Sequence, residues 1–115
     1  MASRSSLARL DGRVVCEHLL VAARPLRRMR GLLGRASLPP GEGILLRPAG
    51  SVHTFFMRFP IDVVFLDRDE RVVGIEAAVP PWRTASRRGA RSVVELAAGE
   101  CERRGLRVGD RLLPA

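Results

Sequence analysis

Short apolar runs, broken by Pro, Gly and charged residues, fill the chain from Arg13 onward. Most are roughly strand length, and they are rich in branched side chains. "RVVCEHLLVAA", residues 13 to 23, divides under period two and predicts a strand. In "RPLRRMRGLLGR" the period changes: Leu26, Met29 and Leu33 recur at helical spacing, with Pro25 suited to a first turn and Gly34 to a stop. Further strands are expected at "GILLRP", "IDVVFLD", "RVVGIEAAV" and "SVVELAA", with Gly74 marking a bulge. "GECERRG" reads as a second short helix closed by Gly105, and "GDRLLPA" as a final edge segment. The pattern predicts a mainly β (α+β) single domain, a small barrel or sandwich with two short helices.

"HTFFMRFPIDVVFLD", residues 53 to 67, holds all four phenylalanines. Drawn extended, its first half places His53, Phe55, Met57 and Phe59 on one face and Thr54, Phe56 and Arg58 on the other. The rings are therefore expected to fill the core, with Pro60 ending one strand before the next begins. "PPWRTASRRGAR", residues 80 to 91, lacks any period and is expected to be a loop.

At 115 residues the chain suits one domain. Residues 1–11 are expected as a tail and 12–115 as the domain. No stretch approaches the roughly 20 apolar residues of a membrane span, and the N-terminus lacks a secretory apolar core, so a cytoplasmic location is the expectation. Two cysteines do not make a disulfide scaffold. The net charge of +8, carried entirely by Arg, raises an anion-facing surface as a further possibility.

The ordered segments "RRMRGLLGR", "GEGILL", "HTFFMRFPIDVVFLD", "RVVGI", "VVELAAG" and "GLRVGD" resemble domain-of-unknown-function family 192, over about residues 25 to 112. The resemblance implies a compact β-rich fold with short helices and no established activity. It places family signatures on Phe56, Met57, Pro60, Asp62, Glu95, Leu96, Ala98 and Gly99, and a hairpin position where relatives commonly carry Gly on Glu70.

The candidate chemistry follows from these residues. The expected function is non-enzymatic binding of a ligand or protein partner, with His53, Phe56, Met57, Asp62, Trp82 and Glu95 as ligand-binding candidates. Asp62, a carboxylate on an apolar strand, needs hydrogen bonds or a charge partner, and backbone N–H donors beyond Pro60 would satisfy it structurally. A second reading has Arg83, Arg87, Arg88 and Arg91 holding an anion or nucleic acid beside Trp82, against the plainer one of a solvated loop whose Trp caps the core. The third is an enzyme using His53 with Asp62 or Glu95 as a proton-transfer pair. Cys16, His18, His53 and Cys101 would make a Cys2His2 zinc set, but zinc signatures carry two close pairs and only one is present, so no metal or other cofactor is expected. Nor does a nucleophile-elbow pattern support a triad of Ser51, His53 and Asp62.

Overall fold

The computed structural model describes residues 4–22 and 36–114. The helix expected over residues 25–34 lies outside them. Among the described residues nine strands run in chain order: β1 Arg4–Arg9, β2 Val14–Ala22, β3 Glu42–Leu46, β4 Ser51–His53, β5 Ile61–Leu66, β6 Val72–Val79, β7 Thr84–Ser86, β8 Ser92–Ala97 and β9 Leu112–Pro114. A single four-residue helix, α1 Glu100–Arg103, is present among the described residues. It corresponds to the second of the two expected helices.

Seven strands form one mixed sheet in the order β6-β5-β8-β3-β2-β1-β9, and β4 pairs with β7 separately. Only β2 and β3 are parallel. The sheet is open, so the expected barrel or sandwich is not established by its ladders. Its two edges approach through one isolated bridge, Arg71 to Arg111, flanked by hydrogen bonds from Val72 N to Asp110 O and from Leu112 N to Glu70 O. Among the described residues no helix is long and apolar enough to cross a membrane.

The predominantly apolar runs of β5 and β8 have a simple physical origin. Both strands are central, and every residue in each is buried. Val64, Leu66, Val94 and Leu96 enter one core cluster, with Leu7, Leu19 and Cys101, whereas Ile61, Val63, Phe65, Val93 and Ala97 enter another, with Met57. Alternate side chains thus serve opposite faces.

Three local readings are informative. Residues 4–9 of the segment expected as a tail form β1, which pairs with both β2 and β9 and sends Leu7 into the core. At the β5–β6 hairpin Glu70 is left-handed (φ 65), which is why glycine suits that position. Gly74 does sit beside a bulge: Phe65 faces Gly74 while Leu66 faces Val72, leaving Val73 extra. The absent side chain leaves room for Arg87, whose guanidinium would collide with a Cβ there and which lies over the Phe65 ring.

Candidate functional site

The segment expected as one extended, ring-filled strand is instead a turn displayed at the surface. β4 ends at His53, and the chain folds back at once through a bond from Met57 N to Thr54 O at 3.2 Å. Phe56 is left-handed at φ 65. Opposite it, the expected loop of residues 80–91 contains the short strand β7, paired through His53 to Thr84 and Val52 to Ala85. Trp82, just before β7, is also left-handed, at φ 67.

Thr54 joins these two turns. Completely buried, it donates from Oγ1 to Pro80 O (2.7 Å) and accepts from Arg83 N (2.8 Å). Its own backbone N donates to Arg83 O, and its O accepts from Trp82 N at 3.0 Å. No spacing in the sequence marks Thr54, and it was not among the residues singled out.

The result is a ridge of rings. His53 stacks on Phe55 at 5.0 Å, Phe55 on Trp82 at 5.9 Å, and Phe56 tilts against Trp82 at 4.7 Å. The expectation that the rings fill the core therefore holds for Phe65, which is fully buried, and partly for Phe59, which packs against the second cluster. It fails for Phe55 and Phe56, which are 37% and 70% exposed, as is Trp82 at 56%. The physical reason is the turn: a left-handed residue reverses the chain, so alternation in sequence no longer assigns faces. Of the turn's apolar side chains Met57 points inward, into the second cluster.

The remaining candidates separate from one another. Asp62 is fully buried and accepts backbone N–H bonds from Ala78 (2.9 Å), Gly99 (3.2 Å) and Cys101 (3.0 Å). It fastens the bulged end of β6 and the start of α1 to β5. Glu95, on the neighbouring strand, points the other way: it pairs with Val63, whereas Asp62 pairs with Leu96. Burial pushes the Glu95 carboxyl up to about 7, and its Oε1 has no hydrogen-bond partner. His53 is exposed, its Nδ1 accepting from Phe55 N at 3.3 Å. Asp62 and Glu95 thus face opposite sides of the sheet, so the pairing of His53 with both around one cleft is not built. A shallow cleft of about 360 Å³ does open beside Cys101, but Ile75, Ala77 and Leu106 line it and Asp62 does not.

Nor does the zinc set assemble. Cys16 points inward to Gly41 O, while His18 is exposed on the same strand. Among the described residues no group of three or more His, Cys, Asp or Glu is placed to hold a metal ion. Burial raises both thiols, Cys16 to about 11, and the Asp62 carboxylate adds to the rise at Cys101. Neither is poised as a nucleophile.

The four arginines differ as well. Arg83 and Arg88 are exposed, Arg87 is tied to Glu76 and to Phe65, and Arg91 belongs to a separate shallow cleft with Arg47 and Arg68. They do not form one cluster.

Comparison with known proteins fits this architecture. The DUF192 family model, described as "Uncharacterized ACR", matches residues 7–113. The chain belongs to the DUF192 family. A UPF0127 protein of Thermococcus sibiricus is 30% identical over 106 residues, covering 88% of this chain and 68% of that protein. One from Pyrococcus furiosus is 43% identical over 63 residues, covering 54% of this chain; the match spans about half of that relative, 53%. Two crystal structures share the fold. The first, a protein of unknown function from Novosphingobium aromaticivorans, has a TM-score of 0.83 at 22% identity, covering 97% of this chain and 84% of that one. The second, from Sinorhizobium meliloti and described as a candidate transcription regulator, has a TM-score of 0.84 at 27% identity, covering 99% and 94%.

Proposed function

We propose that this DUF192 domain is a non-enzymatic binding module that meets its ligand or partner through the ridge of His53, Phe55, Phe56 and Trp82. The observation that carries this reading is the pair Phe56 and Trp82. Both bulky residues hold a left-handed backbone, at φ 65 and 67, and both expose their rings while touching each other. Such strain is of order 1–3 kcal/mol per residue and is concentrated at functional sites. Exposed aromatic patches are surfaces kept for contact. On this reading Met57 supports the ridge from beneath, and the buried Asp62 and Glu95 stay out of the contact. A regulatory role, which the name of the Sinorhizobium meliloti structure suggests for that protein, is compatible with a binding module.

Trp82 is the chain's one tryptophan, so its emission reports on the ridge directly. Titration with oligonucleotides, soluble sugars and aromatic or Pro-rich peptides is expected to give a saturable change with one class. Phe56→Ala is expected to keep the fold by circular dichroism and to weaken that response about tenfold or more. A saturable binder that leaves Trp82 emission unchanged and binds Phe56→Ala equally well would place the contact elsewhere and overturn the reading.

A further inference from the structure

We infer that the ridge is a stacking platform for single-stranded nucleic acid, its rings taking bases and the neighbouring guanidinium groups taking phosphates. The inference rests on the binding reading above and names the class of ligand.

Three observations converge on it. First, the large exposed apolar side chains of the ridge are all aromatic. Among the described residues the large exposed apolar side chains comprise Phe55, Phe56 and Trp82 here and four aliphatic residues elsewhere, which belong to the β1–β2 hairpin, β9 and the turn before β9. A surface built to enter lipid or an aliphatic pocket has no reason to exclude Leu, Ile and Val, whereas a base needs a π-face. Second, the two segments that build the ridge, residues 49–60 and 80–91, contain five Arg and no Asp or Glu. Arg91 stands apart, in the cleft with Arg47 and Arg68. Arg87 is engaged with Glu76, but Arg58, Arg83 and Arg88 are exposed, with no side-chain hydrogen bond or ion pair among the described residues. An anion is the complementary ligand, and guanidinium groups suit phosphate. Third, His53 Nδ1 is taken by Phe55 N, so a neutral ring carries its proton on Nε2 as a donor.

Single strands are favoured over duplex by the same geometry. Stacking requires unpaired bases, and no helix among the described residues is long enough to read a major groove.

The test is fluorescence anisotropy of a labelled deoxythymidine dodecamer, a matched duplex and, in parallel, binding to phosphatidylglycerol vesicles. The single strand is expected to bind about tenfold or more tighter than the duplex. Its affinity should fall with salt at a log–log slope near −2, for about three phosphate contacts. Trp82→Ala, checked for folding by thermal melting, is expected to weaken it about tenfold, and Trp82→Phe to restore most of the loss. Substituting Arg83→Gln with Arg88→Gln should flatten the salt slope by roughly 1.4. Equal or tighter duplex binding, or a Trp82→Ala variant that binds as well as the parent, overturns the inference and leaves only a generic basic surface. Vesicle binding without oligonucleotide binding overturns it in favour of a membrane contact. A saturable Trp82 response to a sugar or peptide, with none to the oligonucleotide, sinks the nucleic-acid inference while sparing the ridge itself.

Discussion

Two buried carboxylates on adjacent strands face opposite sides of one sheet, and they have opposite circumstances. Asp62 lies among the first core cluster's strands with three backbone N–H donors around it; Glu95 points into the second cluster with none on Oε1. Burial is nearly the same, 0% and 3% exposed. What differs is the donor set. A carboxylate wrapped by N–H groups is a structural joint, because ionised oxygen and amide hydrogen satisfy each other out of water. A carboxylate among apolar side chains is a liability that the rest of the fold must offset.

Asp62 gives the largest expected effect. Replacing it with Ala strands three N–H groups at the end of β6 and the start of α1, and each buried unsatisfied group costs about 1–3 kcal/mol. Some donors will find water, so a net loss of roughly 3–5 kcal/mol is expected by urea unfolding. That is a large share of the roughly 5–15 kcal/mol typical of a domain. Asp62→Asn keeps one acceptor oxygen and should fall between the two. A loss under about 1 kcal/mol for Asp62→Ala would show that the joint is decorative.

Glu95 should act in the other direction, through pH. Its carboxyl is held up to about 7 when folded, against an ordinary 4.5. Between those values the unfolded chain releases the proton and the folded chain keeps it, so ionisation favours unfolding. Stability is therefore expected to be highest below about 4.5 as far as this group is concerned, to fall as pH rises to about 7, and then to level off. The full span is on the order of 3 kcal/mol. Glu95→Gln should remove that slope, which parallel melts of parent and variant across pH would reveal; an unchanged slope would assign it to another group.

Both carboxylates stand out in the sequence as charges within apolar runs, and so do the strands that bear them. β5 and β8 are legible because a strand buried on both faces has no polar alternation to confuse with a loop. The donors to Asp62 are not legible, since Ala78 comes from β6 and Gly99 and Cys101 from the turn into α1, and each reaches the carboxylate through a backbone N–H that its side chain does not advertise. β1 is hidden for a related reason: over residues 5–9 Leu7 alone is fully inside, and the strand character comes from pairing on both edges. The aromatic turn misleads most. Period two over residues 53–59 is genuine as a pattern, but a single left-handed Phe56 converts a two-sided strand into a surface turn, and no residue type there announces positive φ.

The smallest effect tests how that ridge is held above the Glu95 side of the sheet. Thr54→Val preserves shape while deleting the hydroxyl, leaving Arg83 N and Pro80 O without the partner they share. Global stability should drop by only about 1–2 kcal/mol, because the turns border the surface and water can reach the freed groups. Locally the consequence is larger. The bonds from Trp82 N and Thr54 N remain possible, yet they depend on the two turns staying in register, so amide exchange is expected to accelerate at Thr54, Met57, Trp82 and Arg83 while β5 and β8 keep their protection. Trp82 emission should broaden as the Phe56 contact loosens. If exchange at those four amides is unchanged, the turns are fixed by their own backbone preferences and the hydroxyl is a passenger; if exchange rises in β5 and β8 as well, the ridge is not a separable surface but part of the same cooperative unit as the core.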